Sequence, residues 1–170
     1  MGFQCKKIET VSQHSTCPRC SLSFSWGTIR KNAELTVRGM CKMKIEIPGA
    51  RKYKDKQSVA DLVNAMPIDN QIITSRCKGV CTWVKETAEM RRMEVILFEP
   101  DLSEIRAWFE VPKRYYQRNK ETVEACDLLH AFISAEDGYT AGTRFEVEYA
   151  VTLNIPVQIH WENGICQWVF

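Results

Sequence analysis

The sequence predicts an α/β fold: a Rossmann-like, doubly wound parallel sheet of about five strands with helices on both faces. The first observation is Leu128–Ile133, an apolar run short enough to be a strand buried on both sides. The second lies just beyond it. Phe145, Tyr149 and Leu153 recur at helical spacing, Pro156 stops that helix, and Val157–His160 reads as another strand, completing a βαβ unit. The third is a strand–helix alternation that starts at Lys44 and repeats to the end of the chain.

Taken in order, Lys44–Ile47 is the first strand and ends in the turn Pro48-Gly49-Ala50-Arg51. Gln57–Ala65 is a short amphipathic helix stopped by Pro67, and Gln71–Thr74 is the second strand. The turn Ser75-Arg76-Cys77-Lys78-Gly79 leads to a helix through Val80, Trp83, Val84, Thr87 and Ala88. Glu94–Phe98 is the third strand, closed by Pro100. Asp101–Val111 reads as an irregular connection, and Lys113–Cys126 as a long polar helix bearing Tyr115, Tyr116, Arg118 and Val123. Right-handed crossovers give the simplest strand order 3-2-1-4-5, whose connections diverge between the first and fourth strands. Ligands bind in the crevice at such a switch point, and the Gly49–Arg51 turn and the Ser134–Thr143 loop both face it. His130 is read as core, His160 as a rim contact, and Trp161 and Trp168 as packing in a C-terminal extension.

Composition sets bounds. At 170 residues and 45% hydrophobic content the chain can bury one good core. No apolar stretch approaches the ~18 residues of a membrane span, and no leader pattern marks the N-terminus, so a soluble, cytoplasmic protein is expected. The eight cysteines show no small-scaffold spacing, which favours reduced thiols. Residues 1–43 hold 7 Lys/Arg and 2 Asp/Glu (7 − 2 = +5), and residues 44–170 hold 16 and 19 (16 − 19 = −3). Nucleic acid is therefore an unexpected partner for the second part, because phosphate contacts need a basic surface.

Two domains are expected: a basic extension over residues 1–43 and the Rossmann-like domain over 44–170. The extension is read as dispensable for folding. Its one chemical signal is Cys17-Pro-Arg-Cys20, with Cys5, His14 and Cys41 nearby. A C-x-x-C pair suits tetrahedral zinc, so Cys17 and Cys20 are candidate ligands, set against a flexible appendage with incidental thiols. No other cofactor is called for.

Gly142 lets the backbone approach a ligand, and Thr143 can cap a helix whose first N–H groups attract an anion. Glu146, three residues on, is placed to close a capping box with Thr143. Gly49 and Arg51 suit a phosphate or carboxylate. Asp137 and Glu136 are carboxylates in the loop ahead of the helix, available as a second acidic group.

The glycine loop with GTRFEVEYA, the PGAR and RCKGV turns, and the Arg118-Asn119 pair resemble the SMF/DprA–LOG (SLOG) superfamily of Rossmann-like nucleotide-binding domains. The likeness covers nearly all of residues 44–170 and none of the first 43. It implies binding of a nucleotide or nucleotide sugar and, in the lonely-guy branch, hydrolysis of a nucleoside monophosphate by a phosphoribohydrolase. On that resemblance Gly142 and Thr143 match the phosphate-cradling turn, and Glu146 and Arg118 match that branch's essential glutamate and arginine. Ligand contacts are expected from Gly49, Arg51, Ser75, Lys78, Gly79, Asn119, Ser134, Gly138, Gly142 and Thr143.

The leading expectation is a sensor or sequestering protein for a nucleoside monophosphate, ADP-ribose or an NAD-derived ligand, assembled as a homo-oligomer. Catalysis ranks second because the second-strand turn, Ser75–Cys81, lacks the acidic residue and paired glycines of the family pattern. Then N-glycosidase chemistry would use Glu146 to support developing oxocarbenium charge, with Arg118 holding the phosphate. A zinc-armed nucleic-acid adaptor built on the N-terminal cysteines is the third reading.

Overall fold

A computed structural model describes residues 42–139 and 141–169, together with two short segments, β1 (Ser15–Thr16) and β2 (Ser23–Phe24), that pair antiparallel. Contacts divide the chain into two units, Met1–Cys41 and Lys42–Phe170. Cys17 and Cys20, with Cys5, His14 and Cys41, lie outside the described residues. Among the described residues no group of His, Cys, Asp and Glu side chains is arranged to hold a metal.

The second unit is built on a six-stranded sheet. Its strands are β3 (Lys44–Glu46), β4 (Gln71–Ser75), β5 (Glu94–Phe98), β6 (Leu128–Ile133), β7 (Val157–Trp161) and β8 (Cys166–Val169), in the spatial order β5-β4-β3-β6-β7-β8. The first five strands of that order are parallel, and β8 runs antiparallel to β7. The expected 3-2-1-4-5 arrangement is present, and the C-terminal segment adds a sixth strand. Asn163 and Gly164, with Gly164 at φ +82°, make the tight reversal that lets β8 return along the edge of β7.

Alternation along the strands sorts the core into two faces. Ile45, Ile47, Ile72 and Phe132 pack with Val59 and Val63 of α1 (Lys56–Ala65) and Val80, Val84 and Ala88 of α2 (Val80–Met90). Ile73, Leu129, Ala131, Ile133 and Val157 pack on the other face with Val123 of α3 (Glu110–Glu124) and Val147 and Ala150 of α4 (Ala141–Thr152). Each side chain switches face at the next residue, as the pleat requires. The Asp55 side chain caps α1 by accepting from the Ser58 N–H at 3.0 Å. α3 starts at Glu110, ahead of the expected Lys113, because Pro112 falls in its first turn, where no backbone donor is needed.

Two glycines allow the turn after β3 to press against the start of α2. A Cβ on Gly49 would lie 2.7 Å from Val80, and one on Gly79 would lie 2.7 Å from the Arg51 carbonyl oxygen. Gly79 also sits at φ +82°, where a side chain is strained. Gly79→Ala is expected to destabilise the fold by roughly 1–3 kcal/mol, read as a lowered urea midpoint at unchanged m-value.

On the Phe132 side of the sheet, His130 Nδ1 and His160 Nε2 are 3.0 Å apart, and the His160 ring stacks on Phe132 at 4.7 Å. His160 is thus a packed ring and not a rim contact. Burial, joined by the neighbouring His160, lowers His130 to about 3, and burial lowers His160 to about 4. An unfolded chain protonates these rings near 6.5, so below that pH it binds protons that the folded chain refuses. The melting temperature should therefore fall as pH drops from about 6.5 towards 4, and His130→Gln should make that fall shallower.

Candidate functional site

At the carboxyl end of the sheet, where the chain leaves β3 and β6 in opposite directions, lies a cavity of about 420 Å³. Its floor is Glu46, the last residue of β3, and its walls come from the Gly49–Arg51 turn, the start of α2, the middle of α3 and the first turns of α4. Arg118 and Asn119, on the inner face of α3, are each only 6% exposed. Arg118 Nη2 reaches Cys77 Sγ at 3.8 Å, while Arg118 Nε and Asn119 Oδ1 have no hydrogen-bond partner. One donor and one acceptor are thus buried beside the cavity without a partner, each costly to leave so.

One guanidinium serves several acids. Burial raises Glu46 to about 7 against the opposing pull of Thr122, Arg118 and Cys126, and Cys126 Sγ lies 3.8 Å from its Oε2. Burial also raises Glu146, and the nearby Glu46 and Cys77 push it the same way. Cys77 goes the opposite way. The Cys81 thiol donates to its sulfur, and that contact, with Ser75 and Arg118, holds Cys77 down to about 4 despite partial burial. Arg118 thus balances a thiolate, while the two carboxyls hold their protons more tightly than in water.

The expected site residues divide between the cavity and its surroundings. Gly49, Arg51, Ser75, Arg118, Asn119, Gly142, Thr143 and Glu146 line the cavity; Lys78, Gly79, Ser134 and Gly138 do not. The space beside Gly49 and Gly79 is filled by Val80 and by the Arg51 backbone. α4 begins at Ala141, so Thr143 lies in its first turn, forms no capping box with Glu146, and leaves Glu146 turned into the cavity. Glu136 and Asp137 are paired with Lys52 at 3.1 Å each, so the second buried carboxyl is Glu46.

The first half of the loop after β6 is tied down by its own hydrogen bonds. The Glu136 and Asp137 N–H groups donate to Ser134 Oγ at 3.1 and 3.4 Å, and the Gly138 N–H donates to the Ser134 carbonyl at 2.9 Å. The Ala135 N–H donates to Glu162 Oε2 at 2.7 Å. The N–H groups of residues 135–138 are thus all taken by protein acceptors.

The outer rim has a different chemistry. Arg106–Lys120 reads RAWFEVPKRYYQRNK, with five Lys/Arg and one Glu, a local balance of 5 − 1 = +4 of which the buried Arg118 belongs to the cavity and the other four cations to the outside. Trp108 is 84% exposed, Phe109 57%, Tyr115 37% and Tyr116 43%. Tyr115 and Tyr116 reach the cavity, and Tyr116 continues edge-on to Phe145, 5.1 Å away. Among the described residues no ion pair engages Arg51, Arg106, Lys113 or Arg114.

No protein-family model and no curated protein matches the chain. Two solved structures are similar to it. One is DNA processing protein A (DprA) from Streptococcus pneumoniae, with a TM-score of 0.56 and 14% identity over 69% of this chain and 50% of that one. The other is DNA processing protein A from Helicobacter pylori, in a study of its single-stranded DNA binding mode, with a TM-score of 0.50 and 14% identity over 69% of this chain and 64% of that one. The chain thus spans half to two thirds of these proteins. The expected α/β fold is shared with these two proteins over the matched residues; the lonely-guy detail has no counterpart in these matches.

Two expectations are corrected here. The small-molecule nucleotide ligand, with its phosphoribohydrolase alternative, gives way because the structural neighbours are DNA-processing proteins, one of them studied for single-stranded DNA binding. The same neighbours overturn the exclusion of nucleic acid as a partner. A net charge of −3 averages over the whole domain and conceals the +4 stretch of Arg106–Lys120.

Glu46 offers a direct check of the cavity's electrostatics. Its folded-state pKa of about 7 lies above the ordinary 4.5, so the folded state binds the extra proton between those values. Stability from this group is then lost as pH rises towards 7. Glu46→Gln should raise the melting temperature by a few degrees at pH 8 and by less at pH 5, measured by calorimetry.

Proposed function

We propose that residues 42–170 bind single-stranded DNA along the Arg106–Lys120 face. The observation that carries this reading is the interleaving of four exposed aromatic rings with cations in one segment, two of whose rings, Tyr115 and Tyr116, reach the cavity. Bases stack on such rings while Lys and Arg neutralise phosphates, a combination that suits an unpaired strand because its base faces are free. Duplex DNA keeps those faces covered. The DprA from Helicobacter pylori supports the choice of polymer, since its structure concerns single-stranded DNA binding. Behind the rim, the polar side chains of Arg118 and Asn119 line the cavity into which a base could turn.

Fluorescence anisotropy of a labelled oligothymidine with the full chain tests the proposal. Trp108→Ala and Tyr115→Ala should each weaken binding by about 1–3 kcal/mol, the usual loss for one stacked base. Both rings are exposed, so melting temperatures should stay near the parent value. Lys113→Gln should flatten the plot of log affinity against log salt by about 0.7, the share of one phosphate contact. Absence of binding by folded protein at low salt, or binding indifferent to Trp108 and Tyr115, would overturn the proposal.

A further inference from the structure

Cys77 and Cys81 stand apart from the aromatic face, and single-stranded DNA binding makes no use of either sulfur. Both line the cavity, Cys77 half-buried and Cys81 buried. Cys81 follows four residues after Cys77, in the first turn of α2, and both sulfur-bearing residues belong to the same cavity wall. Arg118 Nη2 lies 3.8 Å from the Cys77 sulfur. Cys77 also sits just ahead of α2, an 11-residue helix whose positive end faces it. A thiolate flanked by a guanidinium, a helix start and a second thiol, at the wall of an open cavity, is the arrangement that makes a cysteine reactive and gives it a resolving partner.

We propose that Cys77 and Cys81 form a peroxide-reactive dithiol, with Cys77 the attacking sulfur and Cys81 the resolving one. The substrate class is a small hydroperoxide. The Cys77 thiolate attacks the terminal oxygen, the O–O bond breaks, and the alkoxide or hydroxide that leaves takes a proton from solvent, leaving Cys77 as a sulfenic acid. The Cys81 sulfur then attacks Cys77, the S–O bond breaks and water departs with the Cys81 proton. The net change is two electrons from the dithiol to the peroxide, giving a Cys77–Cys81 disulfide that an external thiol can reduce.

The sequence makes the product easy to read. Trypsin cuts after Arg76, Lys78 and Lys85, so the disulfide joins the dipeptide Cys77-Lys78 to the peptide of residues 79–85. Full-length protein treated with stoichiometric hydrogen peroxide, alkylated and digested should yield that linked pair as its major oxidised product, lighter by two hydrogens and restored by dithiothreitol. In Cys81→Ser the sulfenic acid has no partner and should be trapped on Cys77 by dimedone. Cys77 left as a free thiol while the exposed Cys166 oxidises would overturn the assignment. So would Cys77 found as a sulfinic acid or paired with a different cysteine in the wild-type chain. The wild-type peptide map decides the matter even if Cys81→Ser fails to fold.

Discussion

Parallel pairing of β3 with both β4 and β6 is the constraint from which the rest of the second unit follows. A strand paired in parallel on both sides must be reached by crossovers that run away from it in opposite directions. Their loops part at its carboxyl end and leave a cleft that side chains alone must line. β3 ends there on Glu46 and runs on into the Gly49–Arg51 turn, held to β6 by the Ala50 N–H to Phe132 carbonyl bond at 3.0 Å. Glu162 secures the rim from the far side, accepting from the Lys54 N–H with one oxygen and from the Ala135 N–H with the other. The cleft is therefore a consequence of topology before it is a consequence of chemistry.

What the cleft contains is an excess of acids over bases. Glu46, Glu146 and the Cys77–Cys81 pair share Arg118, and none of them is well hydrated. The arrangement resolves by distributing protons. The most exposed acid, Cys77, is held low, while burial pushes the two deeper carboxyls up. Positive charge lies outside the cleft, on Arg106, Lys113 and Arg114, where water still hydrates it.

Much of this was legible in the sequence, for definite reasons. Leu128–Ile133 is apolar at every position but His130 because it is covered on both faces, and such a strand announces both its type and its parallel neighbours. Strand order followed from crossover handedness. Arg118, Asn119 and Glu146 stood out by type and position, and all three line the cleft. Glu46 did not, although a lone carboxylate among the isoleucines of Lys44–Ile47 was a signal that a buried strand had an acid to accommodate. β8 escaped because its residues are mostly exposed and carry no clear alternation. The aromatic rim was lost in an average. Tyr115 and Tyr116 were noted only as part of a polar helix, and net charge over 127 residues hid a 15-residue stretch of the opposite sign.

The placement of β3 bears on how the chain acquires its structure during synthesis. β3 is the first strand of this unit to be made, yet it becomes central, and its second partner is 83 residues away, as the Lys44 N–H to Asp127 carboxylate bond at 2.9 Å records. A nascent chain that has reached α3 can join β3, β4 and β5, but one long edge of β3 and the apolar face destined for α4 stay uncovered. Closing them waits until β6 and α4 have left the ribosome. Contacts so distant along the chain slow folding and lengthen the interval in which an open strand edge invites the wrong partner.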